Sequence, residues 1–373
     1  MDDRSEILYR IAFASMRGVT PVMAGDILAR VGSEREFFAM PETQLMSLCE
    51  SRGRIYKREY RNDLLKKAEA ELRFITDNRI QTLYFKDEGY PYRLTHCDDA
   101  PLMLYTLGEC NFNEARVVGV VGTRHATSYG TDFVNSLISE LASTVDDIII
   151  VSGLAYGIDV AAHRAALNAG IPTVAVLAHG LNMVYPSQHR KVAADMVHNG
   201  GMLVTDYMTS DKIHKGNFVA RNRIVAGLCD CVLVAESASK GGAMITAEIA
   251  VQYNRDVFAL PGRVSDRYSA GCNRLIARNV AQLVTSAEDL ALAMRWPIRQ
   301  HENEQMSLPM DLTQEETAII DYLTTNDTAT INQLTVGLGL PIANLMNILL
   351  DMEFRGLILA VPGGCYRLGS AMV

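Results

Sequence analysis

The stretch that decides the fold is Arg116–Gly130, RVVGVVGTRHATSYG. A nearly continuous run of valines ends in a Gly-Thr-Arg turn at 122–124, and polar residues around Ser128 follow. Strands that are buried on both faces of a parallel sheet have continuous apolar runs of this kind. The stretch therefore predicts a strand over 116–122, a sharp turn, and a helix that begins near Ser128.

The same alternation of strand and helix continues along the chain. The predicted strands are 116–122, 148–152, 172–178, 202–205, 231–236, 256–260 and 282–285. The predicted helices are 128–143, 158–169, 188–199, 217–228, 243–254, 272–278 and 286–294. Such alternation builds a parallel sheet with helices on both faces. The predicted fold class is α/β, with a Rossmann-like, doubly wound and mostly parallel sheet.

The segments before and after this alternation have different sequence patterns. We therefore predict that the chain is divided into four parts. Residues 1–79 predict a small helical domain of the SAM or helix-hairpin-helix type, and 80–296 form the Rossmann-like domain, which opens with two short strands. Residues 297–311 are polar with two prolines and predict a linker. Residues 312–373 predict three helices and a strand pair, the arrangement of a winged helix.

Charge is distributed unevenly along the 373 residues. The formal net charge is −8, which by itself argues weakly against a nucleic-acid partner. Residues 1–80 carry 14 basic and 13 acidic side chains, whereas residues 301–373 carry 2 basic and 9 acidic ones. Phosphate binding must therefore depend on local patches, and we expect the acidic C-terminal domain to serve protein contacts or regulation.

The expected cellular location of the protein and the redox state of its cysteines depend on patterns that the sequence lacks. There is no apolar run near 18 residues and no signal-peptide pattern at the N-terminus, so we expect a cytoplasmic protein with no membrane partner. The seven cysteines are scattered, and the spacing of Cys229 and Cys231 suits neither a zinc site nor a redox pair. We therefore expect reduced thiols, no metal and no cofactor.

A basic cluster stands out in Lys212–Leu228, KIHKGNFVARNRIVAGL. Four cations lie within twelve residues, together with Phe218 and Asn222. Cations can follow a phosphate backbone, an aromatic ring can stack on a base, and an amide can reach polar atoms. The apolar residues that follow predict that the cluster begins a helix anchored in the core, where free N–H groups favour anions.

Seven motifs in order give a specific resemblance. They are Gly122-Thr123-Arg124 in GTRHATSYG, Ser152 opening SGLAYGIDVAAHRAAL, Tyr185-Pro186, FVARNRIVAGL from Phe218, GGAMITA at Gly241–Ala247, Leu260-Pro261-Gly262 and GCNRLI at Gly271–Ile276. From about Tyr90 to Leu290 the chain resembles the DNA processing protein A family (DprA, also called Smf). The resemblance implies sequence-independent binding of single-stranded DNA, protection of incoming DNA and loading of the RecA recombinase in natural transformation. It also implies a competence protein that forms a homodimer and has no catalytic residues.

The motifs and the resemblance together nominate the residues that contact the strand. They are Gly122, Thr123, Arg124, Ser152, Gly153, Lys215, Asn217, Phe218, Arg221, Asn222, Arg223, Lys240, Gly241, Gly242, Thr246 and Asn273. Arg124 follows a strand at the edge where ligands bind in a doubly wound sheet, and its guanidinium suits a phosphate. For the glycines alone, tight strand-to-helix turns are the favoured explanation.

At three places the sequence departs from the usual motifs of the family. Lys240 stands where a hydroxyl residue is common, Ala178-His179-Gly180 replaces a Leu-Gly-x-Gly run, and Thr205-Asp206 replaces Ser-Glu. These departures affect the expected fine geometry of the site rather than the fold. Lys240 adds a cation beside glycines that allow a phosphate to approach.

Other classes of function are less well supported. The chain lacks a Walker A loop and a GxGxxG fingerprint, and a nucleotide hydrolase of the phosphoribohydrolase type would need a PGGxGT run, which is absent. Asp159 and His163, four apart on one helix, suggest either a hydrolytic site or a structural pair beneath the ligand site. A sequence-specific regulator is disfavoured because helix 342–355 has no cation before Arg355. A purely structural module would leave the basic cluster unexplained.

The N-terminal segment also has two interpretations. Gly18–Pro21 between helices resembles half of a helix-hairpin-helix unit, which contacts phosphates, but such turns are also common between ordinary helices. The basic run between Arg52 and Lys67 is typical of a solvated helix face.

Overall fold

A computed structural model describes residues 3–50, 53–299, 312–326, 328–361 and 364–368. The chain forms two compact units, Met1–Gln300 and His301–Val373. The first unit contains the basic groove that is the candidate site. The predicted linker lies almost wholly in residues 300–311, outside the described residues.

The first unit begins with five helices. They are α1 (Asp3–Ala14), α2 (Pro21–Val31), α3 (Glu34–Ala39), α4 (Glu42–Leu48) and α5 (Arg58–Asp77). The Thr20 hydroxyl caps α2 by accepting a hydrogen bond from the Met23 N–H, which satisfies one of the free donors at a helix start. Buried Phe13, Phe37 and Leu45 form the centre of the helical core.

Nine strands then form one sheet. They are β1 (Gln81–Tyr84), β2 (Met103–Gly108), β3 (Arg116–Val121), β4 (Ile148–Ser152), β5 (Thr173–Val176), β6 (Met202–Thr205), β7 (Cys231–Val234), β8 (Asp256–Ala259) and β9 (Gln282–Leu283). The strand order is β1-β2-β6-β5-β4-β3-β7-β8-β9. β1 and β2 pair antiparallel at one edge, and the seven strands from β6 to β9 are parallel. The predicted α/β class with a mostly parallel sheet is confirmed.

The remaining helices of this unit cover the sheet. They are α6 (Tyr92–Thr95), α7 (Ser128–Thr144), α8 (Ile158–Asn168), α9 (Arg190–His198), α10 (Lys215–Leu228), α11 (Gly242–Gln252), α12 (Ala270–Ala277) and α13 (Ala287–Ala293). α10, α11 and α12 contribute to the core on one face, and α7, α8 and α13 to the core on the other. The predicted helices all exist, and α10 begins two residues earlier than expected, after His214 in an extended N-cap conformation.

The valine run of β3 explains why the sheet is covered on both faces. Val117 and Val121 point into the core beneath α10 and α11, whereas Val118 and Val120 point into the core beneath α7 and α8. Successive side chains of a strand alternate between faces, so a strand with helices on both sides needs apolar residues at every position.

The helical segment and the sheet share a core. Tyr84, Met103 and Tyr105 of the antiparallel edge belong to the same buried cluster as Phe13 and Phe37. The helices therefore cover the edge strands of the sheet, which would otherwise leave apolar side chains exposed. The division drawn at residue 79/80 stays a prediction.

The described residues of the second unit form three helices and three strands. They are α14 (Gln314–Asn326), β10 (Ala329–Thr330), α15 (Ile331–Leu338), α16 (Ile342–Phe354), β11 (Ile358–Val361) and β12 (Cys365–Leu368). The strands pair antiparallel in the order β10-β12-β11. Thr313 and Glu316 form the predicted capping interaction: the Thr313 N–H donates to the Glu316 carboxylate and the Glu316 N–H donates to the Thr313 hydroxyl. The predicted winged helix is confirmed.

A helix that spans a bilayer must be long and apolar. No single helix in the described ranges is long and apolar enough to cross a membrane. The pair α15 and α16 meets the requirement by length and composition only when the two are taken together, and it is bent by 115° at its break.

Candidate nucleic-acid interface

A groove of about 640 Å³ lies at the carboxyl ends of the central strands. The turn after β3 (122–124) and the turn after β7 (237–242) form two of its walls, and the first turns of α10 form another. β3 and β7 are adjacent and parallel, so the turns that follow them emerge side by side. We call this feature the Arg124 groove.

Three side chains form a contact chain in the Arg124 groove. The Arg124 guanidinium lies 5.4 Å from the centroid of the Phe218 ring, and that ring lies 5.7 Å from the Tyr185 ring at an angle of 58°. Arg124 and Tyr185 are exposed and Phe218 is half-buried. A cation and two rings with accessible faces can bind both the backbone and the bases of a nucleic-acid strand.

The lining of the groove is predominantly basic. Lys215, Lys240 and Arg267 are exposed there in addition to Arg124. The acidic side chain among the described lining residues is Asp159, which is buried. Burial raises the pKa of Asp159 above its ordinary value, and the cation of Arg221 opposes that rise. The exposed field in the groove is therefore positive, as expected for an anionic ligand.

Two helix N-termini face the same space. α10 and α11 have no side-chain hydrogen bond at their N-caps, His214 and Gly241. Residues of both first turns, Lys215 and Gly242, line the groove. The first N–H groups of a helix have no partner within the helix, so these two starts provide donors and a positive end of the helix dipole for a phosphate.

The glycines around the groove have two different roles. A side chain at Gly122 would overlap Ile158, and one at Gly153 would overlap Arg221. Close packing therefore requires glycine at these two positions. A side chain at Gly241 or Gly242 would meet no atom closer than 3.4 Å, so these two glycines leave open space in the groove itself.

Most of the nominated residues line the groove. They are Gly122, Thr123, Arg124, Lys215, Phe218, Arg221, Asn222, Lys240, Gly241, Gly242 and Thr246. Thr246 is buried and its hydroxyl donates to the Gly242 carbonyl, whereas the Asn222 amide donates to the same carbonyl from the groove side. Thr246 therefore supports the turn, and Asn222 remains partly accessible.

Five nominated residues lie outside the lining. Ser152 is buried and its hydroxyl donates to the Val120 carbonyl, and Gly153 offers its carbonyl to Arg221. The Asn217 amide, also buried, donates to the carbonyls of Ala178 and Lys212. Each has a structural partner that explains its presence in the motif, and DNA contact by these three stays a prediction.

Arg223 and Asn273 also have structural partners. Arg223 forms an ion pair of 2.5 Å with Asp206 and donates to the Asp99 carbonyl. The Asn273 side chain exchanges two hydrogen bonds with the backbone of Gly262 and so holds the Leu-Pro-Gly turn. The structure does not bring either side chain to the groove.

Arg221 is a buried part of the groove lining. It is only 5% exposed, and its guanidinium donates to the carbonyls of Gly153 and Val176. Burial lowers the pKa of Arg221, an effect that nearby Asp159 opposes. Arg221 therefore joins the ends of two strands to α10 and adds a largely covered positive charge to the groove.

Sequence reasoning missed several lining residues. His125 and Tyr268 stack with ring centroids 6.2 Å apart, and the Arg267 guanidinium lies 5.7 Å from the Tyr268 ring. Tyr268 and Arg267 lie on a loop about fifty residues from Lys215, so no local spacing could indicate their proximity.

Asp159 and His163 have separate hydrogen-bond partners. The Asp159 carboxylate accepts from the Ala155 N–H, and His163 Nδ1 is 2.7 Å from the Thr173 hydroxyl. Burial lowers the pKa of His163 to about 3. Within the described ranges, no group of three or more His, Cys, Asp or Glu side chains could hold a metal ion.

Comparison with known proteins identifies the class. A family model described as DNA recombination-mediator protein A matches residues 81–295, and a model of the DprA winged helix domain matches residues 304–364. Together with the fold, these matches define a Rossmann-like recombination mediator with a winged helix. The chain belongs to the DNA processing protein A (DprA/Smf) family.

Individual relatives agree with this assignment. The chain is 41% identical to DNA processing protein DprA of Streptococcus pneumoniae over 204 residues, which is 55% of this chain and 71% of that protein. It is 34% identical to Protein Smf of Escherichia coli over 293 residues, covering 76% of each.

Solved structures of relatives share the fold. The X-ray structure of Streptococcus pneumoniae DprA matches with a TM-score of 0.62 and 32% identity, covering 77% of this chain and 97% of that one. A structure of Helicobacter pylori DprA, described in terms of its single-stranded DNA binding mode, matches with a TM-score of 0.52 and 29% identity over 58% of this chain and 97% of that one.

Proposed function

We propose that this protein binds single-stranded DNA in the Arg124 groove without sequence preference. The observation that supports this most directly is the exposed Arg124 guanidinium over the Phe218 ring, in a groove that also holds Lys215, Lys240 and two uncapped helix starts. The DNA processing protein A of Helicobacter pylori, whose structure was described for its mode of single-stranded DNA binding, has the same fold.

The chemistry of the lining favours a single strand over a duplex. Cations and helix N–H groups bind phosphates of any sequence, and an aromatic ring stacks on any base whose face is free. The bases of a duplex are already stacked and present only their edges. The one amide near the rings, Asn222, is engaged with the Gly242 carbonyl, so the groove has few groups that would distinguish bases.

We further infer that the bound strand is protected and handed to a RecA-type recombinase. Membership of a recombination-mediator family supports this role, which in the cytoplasm of a competent cell would serve natural transformation. We also propose that the protein acts as a homodimer, as the resemblance to the family implies.

We propose that binding, rather than covalent chemistry, is the whole activity. Asp159 and His163 are both buried and engaged with other groups: Asp159 accepts from the Ala155 N–H, and His163 contacts the Thr173 hydroxyl. The purified protein should not hydrolyse ATP or nucleoside monophosphates. Steady turnover that is abolished in Asp159→Asn would support the hydrolase alternative instead.

Fluorescence anisotropy with labelled single-stranded and blunt duplex oligonucleotides at two salt concentrations tests the proposed function. Single strands should bind more tightly, and log K should fall with log salt by about 0.7 for each phosphate contacted. Equal affinity for blunt duplex, or affinity that is independent of salt, would refute the proposal.

A further inference from the structure

A second basic cavity lies beside the Arg124 groove, at the junction of the N-terminal helices and the loop that precedes α10. Its volume is about 590 Å³, and its lining includes Arg17, Arg54, Lys67, Lys212 and His214. Arg17 follows α1, Arg54 precedes α5, Lys67 lies in the middle of α5, and the other two precede α10. Three separate segments thus bring cations to one concave surface, which we call the Arg17 cavity.

Most of these charges are not neutralised within the described protein. Lys67 forms an ion pair of 2.7 Å with Asp63. Arg17, Arg54 and Lys212 are exposed and have no ion-pair partner among the described residues. The other acidic lining residue is Asp211, whose carboxylate accepts from the Met208 N–H. Three cations against one carboxylate leave an excess of positive charge.

The Arg17 cavity repeats the pairing seen in the Arg124 groove. The Arg54 guanidinium lies 4.8 Å from the centroid of the Tyr60 ring, just as Arg124 lies over Phe218. Tyr60 is half-buried, so part of its ring remains accessible. A cation beside an accessible ring is the combination that binds successive phosphates and bases of a single strand.

A short segment joins the two features. Lys212 and His214 line the Arg17 cavity, whereas Lys215 lines the Arg124 groove. The uncapped N-terminus of α10 lies between them. A strand that leaves the groove past Lys215 therefore meets the exposed cation of Lys212 as it crosses onto the N-terminal helices.

We propose that the Arg17 cavity is a second segment of the binding path, which takes the phosphodiester backbone of a strand whose other part fills the Arg124 groove. This inference rests on the proposed function. It assigns a ligand to the N-terminal domain, where the basic run between Arg52 and Lys67 is otherwise explained as a solvated helix face. Because both features take one continuous strand, only a long strand can occupy both.

The experiment compares anisotropy titrations of the full chain with oligothymidylates of about 6 and about 20 nucleotides. The test variant is Arg17→Ala/Arg54→Ala. The matched control is Lys66→Ala/Arg73→Ala, which removes the same charge from exposed positions of the same domain that do not line the cavity. We expect the test variant to bind the long strand about tenfold more weakly and the short strand unchanged, and the salt slope for the long strand to fall by about 1.4, since each lost phosphate contact removes about 0.7.

Several outcomes decide the matter. Wild-type affinity of the test variant for the long strand, or an equal loss in the control variant, would overturn the proposal while leaving the groove intact. Failure of the wild-type protein to bind either strand would instead refute the proposed function. Lys212→Ala provides a second test in a loop, away from the helical core, should circular dichroism show that the double variant is unfolded.

Discussion

The guanidinium of Arg124 lies 5.4 Å from the centroid of the Phe218 ring. The two residues come from different parts of the fold: Arg124 follows β3, and Phe218 lies in the first turn of α10. Cation and ring stabilise each other at an exposed site by about 0.5–1 kcal/mol. A base that stacks on Phe218 competes with Arg124 for the ring face, and the displaced guanidinium is then free to bind the adjacent phosphate.

Removing the cations of the groove should weaken DNA binding without unfolding the protein. Arg124→Ala and Lys215→Ala should each cost about 1–3 kcal/mol of binding free energy, since each loses a charged contact to phosphate. Both side chains are exposed, so the melting temperature should change little. Arg190→Ala, an exposed position on α9, is the matched control for charge. Wild-type binding by Arg124→Ala together with a collapse of its melting temperature would mean that Arg124 is structural.

Phe218 should contribute to DNA affinity through stacking by its aromatic ring rather than through its apolar bulk. Phe218→Ala should lose about 1–3 kcal/mol of binding free energy, the usual value of stacking on one base. Phe218→Trp should retain affinity, whereas Phe218→Leu, which keeps bulk but has no π-face, should resemble Phe218→Ala. Anisotropy titrations measure all three variants. Equal affinity of the Leu and Trp variants would contradict a stacking role.

The two classes of glycine should respond oppositely to substitution. Gly241→Val should lower the unfolding free energy by about 1 kcal/mol or less, because Gly241 has an extended backbone and a Cβ there would lie in ordinary contact, 3.4 Å from the Ser237 hydroxyl. It should nevertheless lower DNA affinity, because the new side chain projects toward the strand. Gly122→Ala should instead destabilise the protein, since its side chain would overlap Ile158 and lie 3.0 Å from the Glu236 carbonyl. Urea denaturation and anisotropy on both variants measure the contrast; normal DNA affinity of Gly241→Val would show that no strand passes there.

The alternation of elements could be predicted because each strand is buried on both faces. The valines of β3 leave few alternatives to a central parallel strand, and the carboxyl ends of such strands meet at one edge of the sheet. For this reason the sequence alone places the turns at 122–124 and 240–242 together. The same argument does not place Lys215 and Phe218 beside Arg124, because α10 begins ten residues after β6, which is separated from β3 by β5 and β4.

The burial of Asn217 and Arg221 was not predicted, although the sequence contains the signal. These residues lie four apart and continue the face of α10 that carries Ile224, Val225 and Leu228 into the core. Because Asn217 and Arg221 are polar, they were predicted to contact a ligand. Their spacing along the helix indicates instead that they face the protein core. By contrast, the approach of Tyr268 to His125 depends on how a distant loop folds back, and no spacing along the chain indicates it.

The buried imidazole of His163 should make stability depend on pH. Burial lowers its pKa from 6.5 to about 3, with smaller effects from Arg221 and His189. Between these values the unfolded chain binds one proton more than the folded chain, so the unfolding free energy falls as the pH is lowered. From pH of about 6.5 to about 5 the loss should be about 2 kcal/mol, at about 1.4 kcal/mol per pH unit. Urea denaturation of wild type and His163→Gln across this pH range measures the loss of unfolding free energy. If the unfolding free energy of the two proteins changed equally with pH, the pH dependence would belong to other groups.

The C-terminal winged helix should contribute little to DNA binding. The exposed face of α16, the helix that would enter a groove of DNA, presents large apolar side chains; these are Ile342, Met346, Leu350 and Phe354. Arg355, which follows it, forms ion pairs with Glu316 and Asp351.

Residues 301–373 carry 9 acidic and 2 basic side chains, so this domain repels phosphate. Deleting it should therefore change single-strand affinity by less than about threefold, which is under about 1 kcal/mol. The measurement compares full-length and truncated protein at low salt, with the oligomeric state of both checked by light scattering. A tenfold or greater loss in a folded truncated protein of unchanged oligomeric state would show that the acidic domain contacts DNA.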